Sequence, residues 1–143
     1  MSQILSTPET RSSLWVSEKL GITYRTLDYW LRQGYARSCA KMADGQGTRR
    51  EFNRQDIAEL MLMRDLRLLG VSVEQSAKMA DELRRWIDTV WGSAPFVGTH
   101  SIIAEGERVW MRENLFGIYR PLIVVPLEPL YAEVDRLLQE RHA

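Results

Sequence analysis

The sequence predicts a mainly α fold with a small β component. Three observations predict it. Apolar residues recur at helical spacing through most of residues 14–90. Glycines stand just after several of these runs, at Gly21, Gly34, Gly70 and Gly92. From residue 99 the period shortens, and strand-like stretches precede one last helical stripe.

The first helix opens at Ser12 or Ser13, whose hydroxyl can cap it, and carries Leu14, Trp15, Val16 and Leu20. Gly21 ends it, and Thr23 caps a second helix in which Leu27, Trp30 and Leu31 make one apolar face before Gly34. Two short helices around a glycine turn outline a helix-turn-helix. Tyr35 to Phe52 reads as a hairpin with Asp44, Gly45 and Gly47 at a flexible tip, Arg37 and Lys41 on one arm, and Arg49 and Arg50 on the other. The whole is a winged helix-turn-helix followed by a short α+β C-terminal segment.

The third helix is announced by Asn53 as cap, with Phe52 and Ile57 spaced for a hydrophobic staple. Ile57, Leu60, Met61, Leu62, Leu66 and Leu69 supply its apolar faces up to Gly70. A fourth starts at Ser72, with Gln75 placed for a capping box, and runs through Val73, Ala77, Ala80, Leu83, Ile87 and Val90 to Gly92. The methionines in these helices read as core filler rather than a cofactor box. Residues 93–99 read as a linker. Ser101–Ala104, Arg108–Met111 and Ile118–Val125 are strand candidates, the last interrupted by Pro121 and so expected at an edge or bend. Pro129 suits the first turn of a closing helix striped by Leu130, Val134, Leu137 and Leu138.

These elements divide the chain into a flexible arm at 1–12, a head with its following helix at 13–92, and a small α+β tail at 99–143 for dimerisation or regulation. A hydrophobic share of 45% with 27% charged residues places the chain among water-soluble globular proteins. No run reaches the roughly 20 apolar residues of a membrane span, and the N-terminus lacks a signal-peptide core, so a cytoplasmic, nucleoid-associated protein is expected. Net charge is zero, but unevenly spread: Arg11 to Asp56 holds nine basic and five acidic residues, Thr99 to the end five basic and seven acidic. That split fits a nucleic-acid-binding head on an unrelated tail.

The outer face of the second helix carries Tyr24, Arg25, Asp28, Tyr29 and Arg32. The forked donors of Arg25 suit guanine O6 and N7, while Tyr29 and Arg32 suit phosphates. Arg37, Lys41, Arg49 and Arg50 on the hairpin suit the sugar–phosphate backbone, where contacts fix register without reading sequence.

The stretch from Val16 to about Leu83 resembles the MerR family of bacterial transcription regulators. The resemblance rests on Thr26-Leu27-Asp28-Tyr29-Trp30 before Gly34, on Arg50-Glu51-Phe52-Asn53-Arg54-Gln55-Asp56-Ile57 closing the hairpin, and on Leu66-Arg67-Leu68-Leu69-Gly70-Val71-Ser72 ending the third helix. Tyr24-Arg25 and Gly45-Gln46-Gly47-Thr48 are similar to an actinobacterial branch that includes a cell-division regulator and has short β-rich tails. The resemblance implies a homodimer on double-stranded DNA, with RNA polymerase as a further candidate partner. The family's metal and redox sensors use several cysteines, whereas here Cys39 stands alone on the hairpin. Neither metal nor cofactor is therefore expected. The tail has no room for the large domain of the drug-sensing members, and no long coiled-coil helix follows the fourth helix.

Catalysis is the least supported class. His100 and His142 lack partners at metal spacing and read as surface residues, Ser12, Ser13 and Ser17 lack a neighbouring histidine, and Glu105 and Glu107 flank a glycine turn. Trp86, Trp91, Trp110 and Tyr119 suit a subunit contact more than a small-molecule pocket. Two rivals to a transcription regulator stay open: a DNA-architectural protein such as a phage or mobile-element excisionase (or a phage-type repressor), and a helix-turn-helix adapted to bind protein.

Overall fold

The computed structural model describes residues 9–43, 48–87 and 100–140. The chain divides into two compact units, residues 1–57 and 58–143.

The first unit contains strand β1 (Arg11–Ser12), helices α1 (Ser13–Leu20) and α2 (Tyr24–Arg32), and strands β2 (Ala40–Ala43) and β3 (Thr48–Phe52). Ser12 caps α1 by accepting the Trp15 N–H at 3.1 Å. Gly21 ends α1 with φ 70°, a conformation open to glycine at no steric cost. Thr23 caps α2 by accepting the Thr26 N–H at 3.1 Å. Val16, Leu20, Ile22, Leu27, Trp30, Phe52 and Ile57 are buried, and α1 packs on both α2 and β3. Leu14 faces solvent instead, being 63% exposed. Leu31, expected in the core, is only half-buried.

The three strands form an antiparallel sheet of order β1-β3-β2. The hairpin is as expected, its tip at 44–47 lying outside the described residues. Order begins earlier than the sequence suggests. Arg11 and Ser12, assigned to the loose arm, pair with Phe52 and Glu51. Two residues are too few for alternation to announce a strand. Arg37 sits in the segment before β2, not on the strand itself.

Helix α3 (Arg54–Leu68) opens with a reciprocal cap. The Asn53 side chain accepts the Asp56 N–H at 2.8 Å, and the Asp56 carboxylate accepts the Asn53 N–H at 3.0 Å. Every residue from Asp56 to Met63 is buried. That buried stretch includes two carboxylates, Asp56 and Glu59. Its C-terminus departs from expectation: Leu69 lies past the last helical residue and, with Leu68, is 79% exposed.

In the second unit α4 (Val73–Trp86) follows, capped by the Ser72 hydroxyl on the Gln75 N–H at 3.1 Å. Met79, Ala80 and Leu83 are buried, as are Met61 and Met63, so these methionines are core. The expected run of this helix to Gly92, and with it Trp91, lies outside the described residues. Strands β4 (Ser101–Glu105), β5 (Arg108–Arg112) and β6 (Ile123–Pro126) form a second antiparallel sheet of order β5-β4-β6. The third strand is shorter than Ile118–Val125. Pro121 lacks a ladder donor, and pairing starts only at Ile123. Helix α5 (Leu127–Gln139) buries Leu130, Tyr131, Val134 and Leu137 at helical spacing, and α4 packs on β4 and β5. No helix among the described residues is long and apolar enough to cross a membrane.

Candidate nucleic-acid interface

The outer face of α2 is built by its period. Leu27 and Trp30 are 1% and 5% exposed, so the residues between them turn outward. Tyr24, Arg25, Tyr29 and Arg32 are exposed, and Asp28 is half-buried. The structure brings Tyr24, Asp28 and Arg32 together with Arg50 of β3. With Ser13, Leu27 and Leu31 they line a groove of about 400 Å³. A second groove of about 280 Å³ adjoins it, lined by Thr10, Arg11, Ser12, Ser13, Leu14, Tyr24, Arg50 and Glu51. Tyr24, Ser13 and Arg50 belong to both, so one concave strip runs from the start of α1 past the wing.

Arg25 and Tyr29 stand apart, while the hairpin residues are placed by their register. Arg25 lines neither groove. Tyr29 turns toward Tyr35, their rings tilted at 6.2 Å. Lys41 lies in β2 opposite Arg50, and Arg49 lies in β3 opposite Met42. Thr10, Arg11, Ser12 and Ser13 were not in the sequence-based set. Ser12 was legible as a cap, but its place beside Arg50 depends on the β1–β3 pairing. Arg11 is held by Glu9 at 3.0 Å and lies over the Trp15 ring at 5.2 Å.

Charge on the strip is unevenly available. Arg32 Nε pairs with Asp28 Oδ2 at 2.9 Å, one turn away on the same helix. Among the described residues Arg25 and Arg50 make no salt bridge. Cys39 donates to the Glu51 carbonyl at 3.4 Å. Cys39 is exposed, but its thiol is pushed above the ordinary range, first by partial desolvation and then by the Asp56 carboxylate. Such a thiol is a poor nucleophile at neutral pH.

The aromatic residues of the second unit are engaged separately. Trp86 packs on His100 with ring centres 5.7 Å apart, so His100 is half-buried rather than a surface residue. Trp110 is covered by Arg108 at 4.7 Å, and Tyr119 is 93% exposed. His142 lies outside the described residues.

Two helices around a glycine turn, with a basic β-hairpin beside the second, define a winged helix-turn-helix domain. Residues 15–83 match the family described as MerR HTH family regulatory protein, and this span of the chain is a MerR-family helix-turn-helix domain. Uncharacterized HTH-type transcriptional regulators of Mycobacterium bovis and of two strains of Mycobacterium tuberculosis are each 35% identical over 65 residues. The matched stretch is 46% of this chain and 29% of each relative. The chain therefore covers less than a third of those relatives' length.

Proposed function

We propose that the chain is a sequence-specific double-stranded DNA-binding transcription regulator acting as a homodimer. One observation supports this above the rest. The α2 face that carries Tyr24, Arg25, Asp28 and Arg32 is exposed, and Arg50 of the wing stands beside it over one continuous strip. In this reading Tyr24, Arg25 and Asp28 face the major groove. Tyr29, Arg32, Arg37, Lys41, Arg49 and Arg50 serve the phosphate backbone. The head occupies 13–92, and the tail at 99–143 serves dimerisation or regulation. RNA polymerase is the candidate protein partner.

The test is selection of bound fragments from a genomic DNA library, then footprinting of the best site. The expected result is an inverted repeat protected over two successive major-groove turns, as a two-fold dimer requires. Arg25→Ala should weaken that site by about 1–3 kcal/mol and relax one base position. Direct repeats with a strong bend would replace this reading with the architectural one. No enrichment even at low salt would assign the domain to protein binding.

A further inference from the structure

The recognition face carries a carboxylate where a polyanion is to bind. Asp28 lines the same groove as Arg32 and Arg50, and a bare carboxylate there repels phosphate. It is not bare. Arg32 reaches back one turn to it at 2.9 Å, with the Arg32 side chain 69% exposed and that of Asp28 33% exposed. Arg25 and Arg50 make no salt bridge among the described residues, while Arg32 is neutralised by its own helix.

We infer that Asp28 is a specificity-determining residue that acts through Arg32. The pair does two things. It fixes the guanidinium in one orientation, leaving its outer N–H groups to meet a phosphate at one register only. It also cancels one positive charge that would otherwise attract any DNA. Non-specific affinity comes almost wholly from phosphate neutralisation, so a cancelled charge lowers it selectively. Specific binding keeps its base contacts and loses less. Discrimination is the difference of the two affinities, and a residue that weakens the wrong complex more than the right one increases it. Asp28 is thus a positioning residue for Arg32, not a reader of bases.

This inference rests on the DNA-binding reading above, and the experiment separates the two. Full-length wild type, Asp28→Asn, Arg32→Ala and the double variant are titrated with the selected duplex and a scrambled duplex across a salt series. The pair is open to solvent on the Arg32 side and Asp28→Asn is nearly isosteric, so the variant keeps the fold, which circular dichroism checks. Asp28→Asn is expected to bind the scrambled duplex several-fold more tightly and to steepen its log–log salt slope by about one. The ratio of specific to scrambled affinity narrows. Removing Arg32 in the double variant returns the slope to that of wild type or below. An unchanged slope and ratio in Asp28→Asn overturns the inference while leaving the DNA-binding reading intact. So does loss of the selected site with scrambled binding unchanged, which would make Asp28 a direct acceptor from a base such as cytosine. Wild type that binds neither duplex overturns both.

Discussion

Asn53 and Asp56 close the first turn of α3 on itself, each side chain accepting the other residue's backbone N–H. Two donors that the helix cannot satisfy internally are thereby met. Asp56 has no exposed surface, so water cannot replace the lost bonds. Asp56→Ala is expected to destabilise the chain by about 1–2 kcal/mol in urea unfolding. Asp56→Asn retains an accepting oxygen and should lose less than half of that. Equal losses in the two variants would show that the charge rather than the bond matters here.

The same carboxylate bears on Cys39. Partial desolvation of the sulfur, then Asp56, raises the thiol pKa above its ordinary value of 9.0. Alkylation of native protein by iodoacetamide should therefore be slow at neutral pH and accelerate only above the range of a free cysteine. In Asp56→Asn the accelerating limb should move to lower pH. A native profile that overlays a free-thiol peptide contradicts this account.

Glu59 and Arg84 join α3 to α4 through two bonds, at 2.7 and 3.0 Å, with the glutamate side chain 7% exposed. Desolvating a carboxylate is tolerated only with its partner present. Glu59→Ala or Arg84→Ala should each cost about 3 kcal/mol, because each strands a charge. The double change Glu59→Leu with Arg84→Met should cost far less than the sum. Additive losses in that double-mutant cycle would mean the two residues act independently.

Glu105 and Arg120 brace the loop between β5 and β6 through two bonds. Arg120, chiefly through those bonds, holds the Glu105 carboxyl below its ordinary value of 4.5. The ionised form is thus favoured by the fold. Its contribution is complete above the ordinary glutamate range and disappears as pH falls through the lowered value. NMR titration of the Glu105 carboxyl should give a midpoint below 4.5, restored toward it in Arg120→Ala. A native midpoint at or above the ordinary value counts against the pairing in solution.

The head was legible because local chemistry decides it. Ser12, Gly21, Thr23, Asn53 and Ser72 each satisfy or end a helix terminus through neighbours a few residues away. Asn53 and the Phe52–Ile57 pair were readable, while the role of Asp56 was missed because glutamate or glutamine is the usual partner at that position. What escaped depends on distant pairing. The β1 strand exists only because β3 offers an edge, and the Thr10–Ser13 part of the concave strip follows from that edge. Leu69 fits the stripe of α3 by spacing, but the helix stops before it and leaves it in solvent. Tyr24, Asp28, Arg32 and Arg50, each a candidate from the sequence, line one groove, whereas the pairing of Asp28 with Arg32 does not follow from the sequence, since i,i+4 spacing permits such a pair without requiring it.

Arg49 and Arg50 are neighbours in one strand, and their sequence positions alone treat them alike. Successive strand residues belong to opposite faces of a sheet. Arg50 lines both grooves beside α2, and the register sets it opposite Lys41. Arg50 should therefore hold a phosphate on DNA. Arg50→Ala should lower affinity for specific and scrambled duplexes alike, and reduce the log–log salt slope by about one, as loss of one phosphate contact does. Arg49→Ala, at a second proposed phosphate contact, should act in the same direction. The measurement is fluorescence anisotropy with one duplex pair across a salt series, wild type alongside. Wild-type affinity and salt slope in Arg50→Ala would remove Arg50 from the phosphate contacts.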